Sequence, residues 1–183
     1  SAASDVYKRQ IVLYGEMECL RDTLRSPLIP IGEKMPVSLT ELQRGRIHNE
    51  LQRIVTALGV RFGEMNIEIL LDKEDKVHFL ELGPRAGGNM IPIQLSDIWG
   101  IDLVRANVQA AMGETPEFIG TRLKALPGCH MHYVLHSYEA GRFQNIDIDD
   151  SIRRFVYREV IYKKEGDTVE VFDGAGKALG ILF

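Results

Sequence analysis

The chain has 183 residues, of which 45% are hydrophobic and 26% are charged, and its formal net charge is −4 at pH 7. This is the composition of an ordinary globular domain with a real core, and the mild acidity excludes the basic footprint of a nucleic-acid-binding protein. No apolar run is long enough to cross a membrane, and two cysteines, Cys19 and Cys129, fit a reduced cytoplasmic protein better than a disulfide scaffold.

The first part of the chain gives few predictions of regular structure. Residues 1–10 have no usable pattern and are expected to be a loop or a vector-derived segment. A short strand is predicted at residues 11–14. Residues 16–37 contain three prolines, which are expected to break any regular element.

Three helices are predicted further along. Ser38 is a suitable N-cap with Glu41 as its capping-box partner, and the apolar stripe that follows ends before Gly59, a natural residue for a helix end. Two shorter helices are predicted at residues 91–99, before a glycine, and at 102–112, capped by an aspartate.

The most informative segment is a predicted β-hairpin, with apolar arms at residues 68–72 and 77–83 and a charged turn between them. A turn of two or four residues places Glu68 opposite Glu81, with the carboxylates about 5 Å apart on an otherwise apolar face. Like charges in that arrangement are destabilising unless a proton or a cation neutralises them. The same register pairs Leu70 with Phe79 and Asp72 with Val77.

The carboxylate pair suggests phosphate chemistry. Mg²⁺ prefers carboxylate oxygens and commonly shares them with the phosphates of a substrate. Arg85 follows four residues after Glu81, and its planar guanidinium suits phosphate or carboxylate. The glycine turn beyond it, at Gly87 and Gly88, can present backbone N–H groups to an anion.

These residues also resemble a known family. The segment from Asn66 to Leu70, followed by Glu81 to Gly88, is similar to the metal-binding end of ATP-grasp enzymes, which are ADP-forming carboxylate–amine or carboxylate–thiol ligases. The resemblance is greatest to the amino-acid-ligase and carbamoyl-phosphate-synthase-like members and covers roughly residues 11–115. One position departs from the pattern, because Gly83 stands where the family usually has an asparagine that contacts metal or phosphate.

The resemblance implies a function and a set of roles. ATP, the co-substrate, would phosphorylate a carboxylate with the help of Mg²⁺ or Mn²⁺, and an amine would attack the acyl-phosphate; the identity of both small molecules is not encoded in the segment. The implied roles are metal ligation by Glu68 and Glu81, catalysis by Arg85, nucleotide contact by Leu70, and substrate contact by Gly87, Gly88 and Asn89.

The resemblance also implies a larger parent protein. ATP-grasp enzymes carry an N-terminal α/β domain and a lid that holds the nucleotide phosphates, and no residues before the first predicted strand match either. The chain is therefore expected to be the C-terminal part of such an enzyme, with little or no turnover by itself. A non-catalytic structural or oligomerisation module on the same scaffold is the alternative, favoured by Gly83, and self-association stays open.

The pattern of apolar residues changes in the last third of the chain. Short apolar runs alternate with turns about every ten residues, which is typical of antiparallel strands. The overall expectation is an α+β fold: a mostly antiparallel sheet with packed helices at residues 11–117, the C-terminal half of an ATP-grasp fold, followed by a small β-rich lobe at 118–183.

Two other patterns in this region resemble binding sites. Three histidines of equal parity on one predicted strand could bind Zn²⁺ or Cu²⁺, but half-exposed strand residues or pocket lining is the preferred interpretation. The glycine-rich stretch at residues 174–180 has too little chain after it for the helix that a phosphate loop requires, so a hairpin turn is predicted. The three histidines are His130, His132 and His136.

Overall fold

The computed structural model describes residues 2–183, and the side chains of these except residues 2–5 and 14. The chain forms two compact units. In chain order the elements are β1 (Ala2–Tyr7), β2 (Gln10–Glu16), β3 (Glu18–Asp22), β4 (Ser26–Met35), α1 (Glu41–Ala57), β5 (Phe62–Leu71), β6 (Val77–Gly83), α2 (Ile91–Trp99), α3 (Leu103–Ala111), β7 (His130–Leu135), β8 (Gly141–Arg142), α4 (Asp150–Arg153), β9 (Glu159–Ile161), β10 (Thr168–Val169) and β11 (Gly180–Leu182).

The first unit comprises the chain up to Met17 together with Pro36–Gly128. Its antiparallel sheet has the strand order β2–β1–β5–β6. Helix α1 packs on one face, where its buried side chains meet those of β5. Helix α2 packs on the other face, since a Cβ atom on Gly15 of β2 would lie only 2.7 Å from Leu95 of α2. The α1 face of this core contains Ile47, Leu51, Val55, Met65 and Ile67.

The helix predictions for this unit are largely confirmed. Helices α2 and α3 have the expected positions, and α2 ends at Gly100, which has a φ of 66°. Helix α1 begins later than expected: its N-cap is Thr40, whose capping-box partner is Gln43, rather than Ser38 with Glu41. The shift has a simple cause, because Thr40 and Gln43 offer the same reciprocal pair of hydrogen bonds two residues further on.

Before α1, the strand predicted at residues 11–14 is found within β2, but the predictions for residues 1–10 and 16–37 were wrong. Residues 2–7 form strand β1, in the interior of the sheet between β2 and β5, where no pattern had been found. Residues 18–22 and 26–35 form the hairpin β3–β4, although two prolines lie in β4. Pro30 is tolerated because it pairs with Arg21 at an irregular position of the ladder.

The second unit comprises Glu18–Met35 and Cys129–Phe183. The structure thus places the division after residue 128 rather than after 117, and it adds the β3–β4 hairpin to the C-terminal unit. A five-stranded sheet has the order β3–β4–β7–β11–β9, and β8 pairs with β10. The predicted α+β fold class is therefore confirmed, although α4 was not foreseen and residues 143–148 are irregular rather than a strand.

The glycine-rich stretch near the C-terminus is a turn followed by a strand, not a phosphate loop. Ala175–Lys177 form a single 3₁₀ turn, and β11 begins at Gly180. A Cβ atom at Gly180 would lie 2.4 Å from the carbonyl oxygen of Val160, so the close approach of β9 requires glycine there.

Candidate functional site on the β5–β6 hairpin

The register of the β5–β6 hairpin brings the two predicted metal ligands together. Glu68 of β5 and Glu81 of β6 are direct cross-strand partners. Side chains of such partners lie about 5 Å apart at their Cβ atoms. Glu68 is half-buried and Glu81 is largely exposed, so this carboxylate pair is open to solvent on one side.

The register differs from the predicted one beyond this pair. Leu70 faces His78 and not Phe79, which pairs with Ile69. Leu80 is the extra residue of a β-bulge between Phe79 and Glu81, and five residues rather than four join the strands. The prediction assumed an unbroken ladder, and a single inserted residue shifts every pair on the turn side by one position.

The face of β5 that carries Glu68 is polar. Its alternate residues are Glu64, Asn66, Glu68 and Leu70, whereas the apolar residues between them pack toward α1. The expectation of an otherwise apolar face around the carboxylates was therefore wrong. The hydrophobic residues that suggested it belong to the opposite side of the sheet.

Arg85 lies close to the carboxylate pair. Its Nη2 atom is 3.9 Å from Oε1 of Glu81, and its Nη1 atom donates a hydrogen bond to the backbone oxygen of Ala86. More than half of the Arg85 side chain is exposed (57%), so most of its donors are available to a ligand. Arg85 thus stands beside Glu81, one of the two opposed carboxylates, with donors that a ligand could use.

Gly83 precedes this arginine in the pattern and is buried. A Cβ atom built on it would lie 3.5 Å from Cγ and Nε of Arg85, which is ordinary van der Waals contact. The position therefore has room for a side chain beside Arg85. Glycine is not imposed there by steric crowding or by an unusual backbone angle.

The glycine turn enters α2 through unusual backbone angles. Asn89 and Met90 both have positive φ values, of 48° and 59°. A Cβ atom on Gly87 would lie 2.9 Å from Ile91, so that position requires glycine, whereas Gly88 has open space around it. Non-glycine residues in this region of φ/ψ space are uncommon and concentrate at functional sites.

Glu64 is the site residue that the sequence analysis missed. Its side chain is almost completely buried (3% exposed), and neither carboxylate oxygen makes a hydrogen bond to any residue that the structure describes. Burial raises the pKa of Glu64 to about 7, partly offset by the nearby backbone N–H of Gly87. The available signal was its position, four residues before Glu68 and on the same strand face.

Asn66 separates the two glutamates on this face. It is also buried, and its Oδ1 atom has no hydrogen-bond partner among the described residues. Its cross-strand partner is Gly83. On this face of β5, the solvent-accessible carboxylate pair is therefore followed by two buried polar residues, Asn66 and Glu64, near the glycine turn.

The histidines of β7 do not form a metal site with the groups around them. His130 and His132 alternate on β7, but His136 lies beyond its end, with its ring 4.5 Å from that of Phe172. Burial lowers the pKa of His132 to about 4. Among the side chains that the structure describes, no three histidine, cysteine, aspartate or glutamate residues are grouped to hold a metal ion.

The carboxylate pair supplies two side chains that could act as oxygen ligands to a metal ion. This number fits Mg²⁺ or Mn²⁺ better than a metal held entirely by protein, because Mg²⁺ keeps waters and phosphate oxygens in its octahedral shell. A partly open pocket of about 310 Å³ in the same unit, lined by Leu13, Trp99 and Phe118 among others, includes neither Glu68 nor Glu81. The candidate site is thus an open face of the sheet.

The fold was compared with solved structures. Phosphoribosylglycinamide synthetase from Anaerococcus prevotii matches with a TM-score of 0.79 and 18% sequence identity, over 99% of this chain and 46% of the synthetase. An L-amino acid ligase from Bacillus licheniformis matches with a TM-score of 0.78 and 20% identity, over 99% and 47%. The chain carries an ATP-grasp fold.

A third solved structure has a bound nucleotide. The biotin carboxylase domain of 2-oxoglutarate carboxylase from Hydrogenobacter thermophilus, in complex with MgADP and bicarbonate, matches with a TM-score of 0.72 and 15% identity. It is aligned over 99% of this chain and 39% of its own length. The chain therefore spans less than half the length of each of these three structures.

Sequence comparison adds little to this. No family model matches the chain. The uncharacterized protein y4rH of Sinorhizobium fredii is 33% identical over 79 residues, which is 43% of this chain and 16% of that protein.

Proposed function

We propose that this ATP-grasp chain is the C-terminal part of an ADP-forming ligase that activates a carboxylate as an acyl-phosphate for attack by an amine. The observation that carries the proposal is the direct opposition of Glu68 and Glu81 beside Arg85 on the open face of the sheet. The ATP-grasp fold supports the general class of reaction. The activity itself is a property proposed for the whole protein.

Glu68 and Glu81 would hold Mg²⁺ or Mn²⁺. When bound, the ion would neutralise charge on the terminal phosphates of ATP. The two carboxylates come from adjacent strands of one hairpin, so their separation is fixed by the ladder and not by flexible loops. Their mutual repulsion without a cation provides a driving force for binding.

Arg85 would stabilise negative charge on the transferred phosphoryl group and on the acyl-phosphate. Its exposed guanidinium can bind two oxygens at once through two parallel N–H groups, a planar geometry that a lysine does not offer. The 3.9 Å approach to Glu81 places it at the edge of the proposed metal site.

The remaining contacts follow from position. Leu70 lies on the same strand face as Glu68 and is half-exposed (53%), so it offers an apolar surface to a nucleotide base. Gly87, Gly88 and Asn89 would contact the acyl substrate, since the open space around Gly88 lets a ligand approach the backbone. The carboxylate and amine substrates are small molecules. A cytoplasmic location is proposed from the low cysteine content of the sequence, Cys19 and Cys129.

In this proposal, the lid that would close over the nucleotide phosphates does not belong to the residues described above. By itself the chain is expected to bind nucleotide weakly and to turn over little, because water enters an open site and weakens its electrostatic interactions.

No helix within residues 2–183 has the length and apolarity to cross a membrane.

The proposal is tested on the complete natural polypeptide that carries these residues. ADP release and hydroxamate formation would be measured with hydroxylamine as the trapping amine and a panel of carboxylates. Arg85→Ala is expected to lower hydroxamate formation by about 10²-fold or more, with Arg85→Lys recovering part of it. Equal rates in the wild-type protein and in Arg85→Ala would contradict the assigned role.

A second candidate is a non-catalytic module on the same scaffold, and Gly83 favours it. The complete polypeptide would then form no hydroxamate with any carboxylate. Because the structure leaves space for a side chain at this position, Gly83→Asn is compatible with folding. Hydroxamate formation that appears only in Gly83→Asn would identify the lost asparagine as the cause of inactivity.

A further inference from the structure

A histidine–aspartate pair lies on the same face as the proposed nucleotide site. His78 is the cross-strand partner of Leu70, which is two residues from Glu68 and thus about 7 Å along the strand. The neighbouring pair, Ile69 and Phe79, packs toward α1 on the opposite face of the sheet. The bulge at Leu80 is what brings an imidazole rather than a phenyl ring to this face.

Asp72 is held firmly at the end of β5. Its Oδ1 atom accepts hydrogen bonds from the backbone N–H groups of Glu74 and Lys76, each at 2.9 Å. Its Oδ2 atom is 2.8 Å from Nε2 of His78. The hydrogen bond with His78, followed by the backbone bond from Lys76, lowers the pKa of Asp72 to about 2. The carboxylate is therefore ionised at neutral pH.

This geometry assigns the proton of the imidazole. An ionised carboxylate only accepts hydrogen bonds, so Nε2 of His78 must carry the hydrogen that it donates to Asp72. In the neutral ring, Nδ1 is then an acceptor. Nδ1 makes no hydrogen bond to the residues that the structure describes, and 45% of the side chain is exposed.

We propose that His78, oriented by Asp72, selects the base of the nucleotide: its Nδ1 acceptor favours the exocyclic amine of adenine over the oxygen that guanine and hypoxanthine carry at the same position. This inference rests on the proposed function, because it assumes phosphates at Glu68 and Glu81. The base then lies further along the same strand face, with Leu70 beneath it and His78 beside it.

Asp72→Asn tests the inference because it reverses the proton assignment. Its oxygen is expected to stay with the backbone N–H groups of Glu74 and Lys76, which leaves the amide NH₂ to face Nε2 of His78. Nε2 then becomes an acceptor and Nδ1 carries the hydrogen. The variant should bind MgIDP more tightly than MgADP, whereas the wild-type protein should prefer MgADP by about tenfold.

Two further variants complete the design. His78→Phe keeps a ring beside Leu70 but removes the acceptor, so it should bind MgADP and MgIDP within about twofold of each other. Glu74→Gln, in the same turn, removes one negative charge without touching the pair, so it should keep the wild-type preference. Circular dichroism of each variant would confirm that the turn change has not unfolded the chain.

The measurement is calorimetric titration of the complete polypeptide with MgADP and with MgIDP. Reversal in Asp72→Asn together with loss of preference in His78→Phe supports the inference. Binding of MgADP that needs Glu81 but keeps the same preference in both variants overturns the inference and leaves the proposed function standing. Absence of binding to either nucleotide at millimolar concentration overturns both.

Discussion

At the scale of single residues, the site depends on whether each charged side chain is exposed or buried. Glu81 and Arg85 are exposed and can meet a ligand, whereas Glu64 lies below the same face with no hydrogen-bonding partner among the described residues. Sequence alone identified the exposed residues, since they carry the family pattern. It could not identify Glu64, because burial of a glutamate depends on the helices that cover the sheet and not on its neighbours in the chain.

Glu64 gives a prediction about pH. Its pKa is higher in the folded protein, about 7, than the ordinary value of 4.5, so the folded state binds more protons between these values. Its contribution to stability is full below about pH 4.5 and is lost as the pH rises through 7. Glu64→Gln, which removes the buried charge, should raise the free energy of unfolding at pH 8 by about 2 kcal/mol and change it little at pH 4.

Urea denaturation at both pH values, followed by circular dichroism, is the measurement for Glu64→Gln. Glu50→Gln is the matched control, because this glutamate pairs with Arg53 on the surface of α1 and should give a pH-independent change within about 0.5 kcal/mol. A Glu64→Gln effect of equal size at pH 4 and pH 8 would show that the carboxyl does not titrate as described.

At the scale of elements, side chains of helix α1 join it to the hairpin turn, and Gln43 makes the shortest of these contacts. Gln43 completes the capping box with Thr40, and its Nε2 atom also donates a hydrogen bond of 2.6 Å to Asp75 in the turn between β5 and β6. Arg46 adds weaker contacts to the backbone of the same turn. The turn that orients His78 is thereby fixed to the start of α1.

Gln43→Ala should therefore destabilise the protein by about 1–2 kcal/mol, through loss of the reciprocal cap and of the link to the turn. Asn49→Ala on the exposed side of the same helix should change the free energy of unfolding by no more than about 0.5 kcal/mol. Urea denaturation measures both. A Gln43→Ala effect no larger than that of Asn49→Ala would mean that the cap and the link contribute nothing.

The elements also show which structural features could be predicted from the sequence and which could not. Helices α2 and α3 were predicted well because their ends are set by local signals, such as Gly100 and Asp102. The pairing of Glu68 with Glu81 was predicted correctly only because two deviations offset each other: the turn has one residue more than assumed, and the bulge at Leu80 restores the register. The bulge at Leu80 was not predicted, since an extra residue in one strand is stabilised by packing against the rest of the sheet and leaves no clear local signal.

At the scale of the whole molecule, the parts that sequence did not predict depend on distant partners. Strand β1 pairs with β5, some sixty residues away in the chain, and β4 pairs with β7 nearly one hundred residues later. Strand β1 is short and has two small alanines and two polar residues, and β4 contains two prolines, so the strand conformation comes from neighbouring strands and not from intrinsic preference. Each of the two units therefore combines segments that are far apart in the sequence.

The central claim is that the hairpin of this ATP-grasp chain holds a metal–nucleotide site at Glu68 and Glu81. The most direct measurement is calorimetric titration of MgADP into the complete natural polypeptide, beside Glu81→Gln and the turn control Glu74→Gln. We expect binding in the wild-type protein and in Glu74→Gln, and a loss of at least tenfold in affinity in Glu81→Gln. Equal affinity in all three proteins would contradict the assignment of Glu81 as a metal ligand.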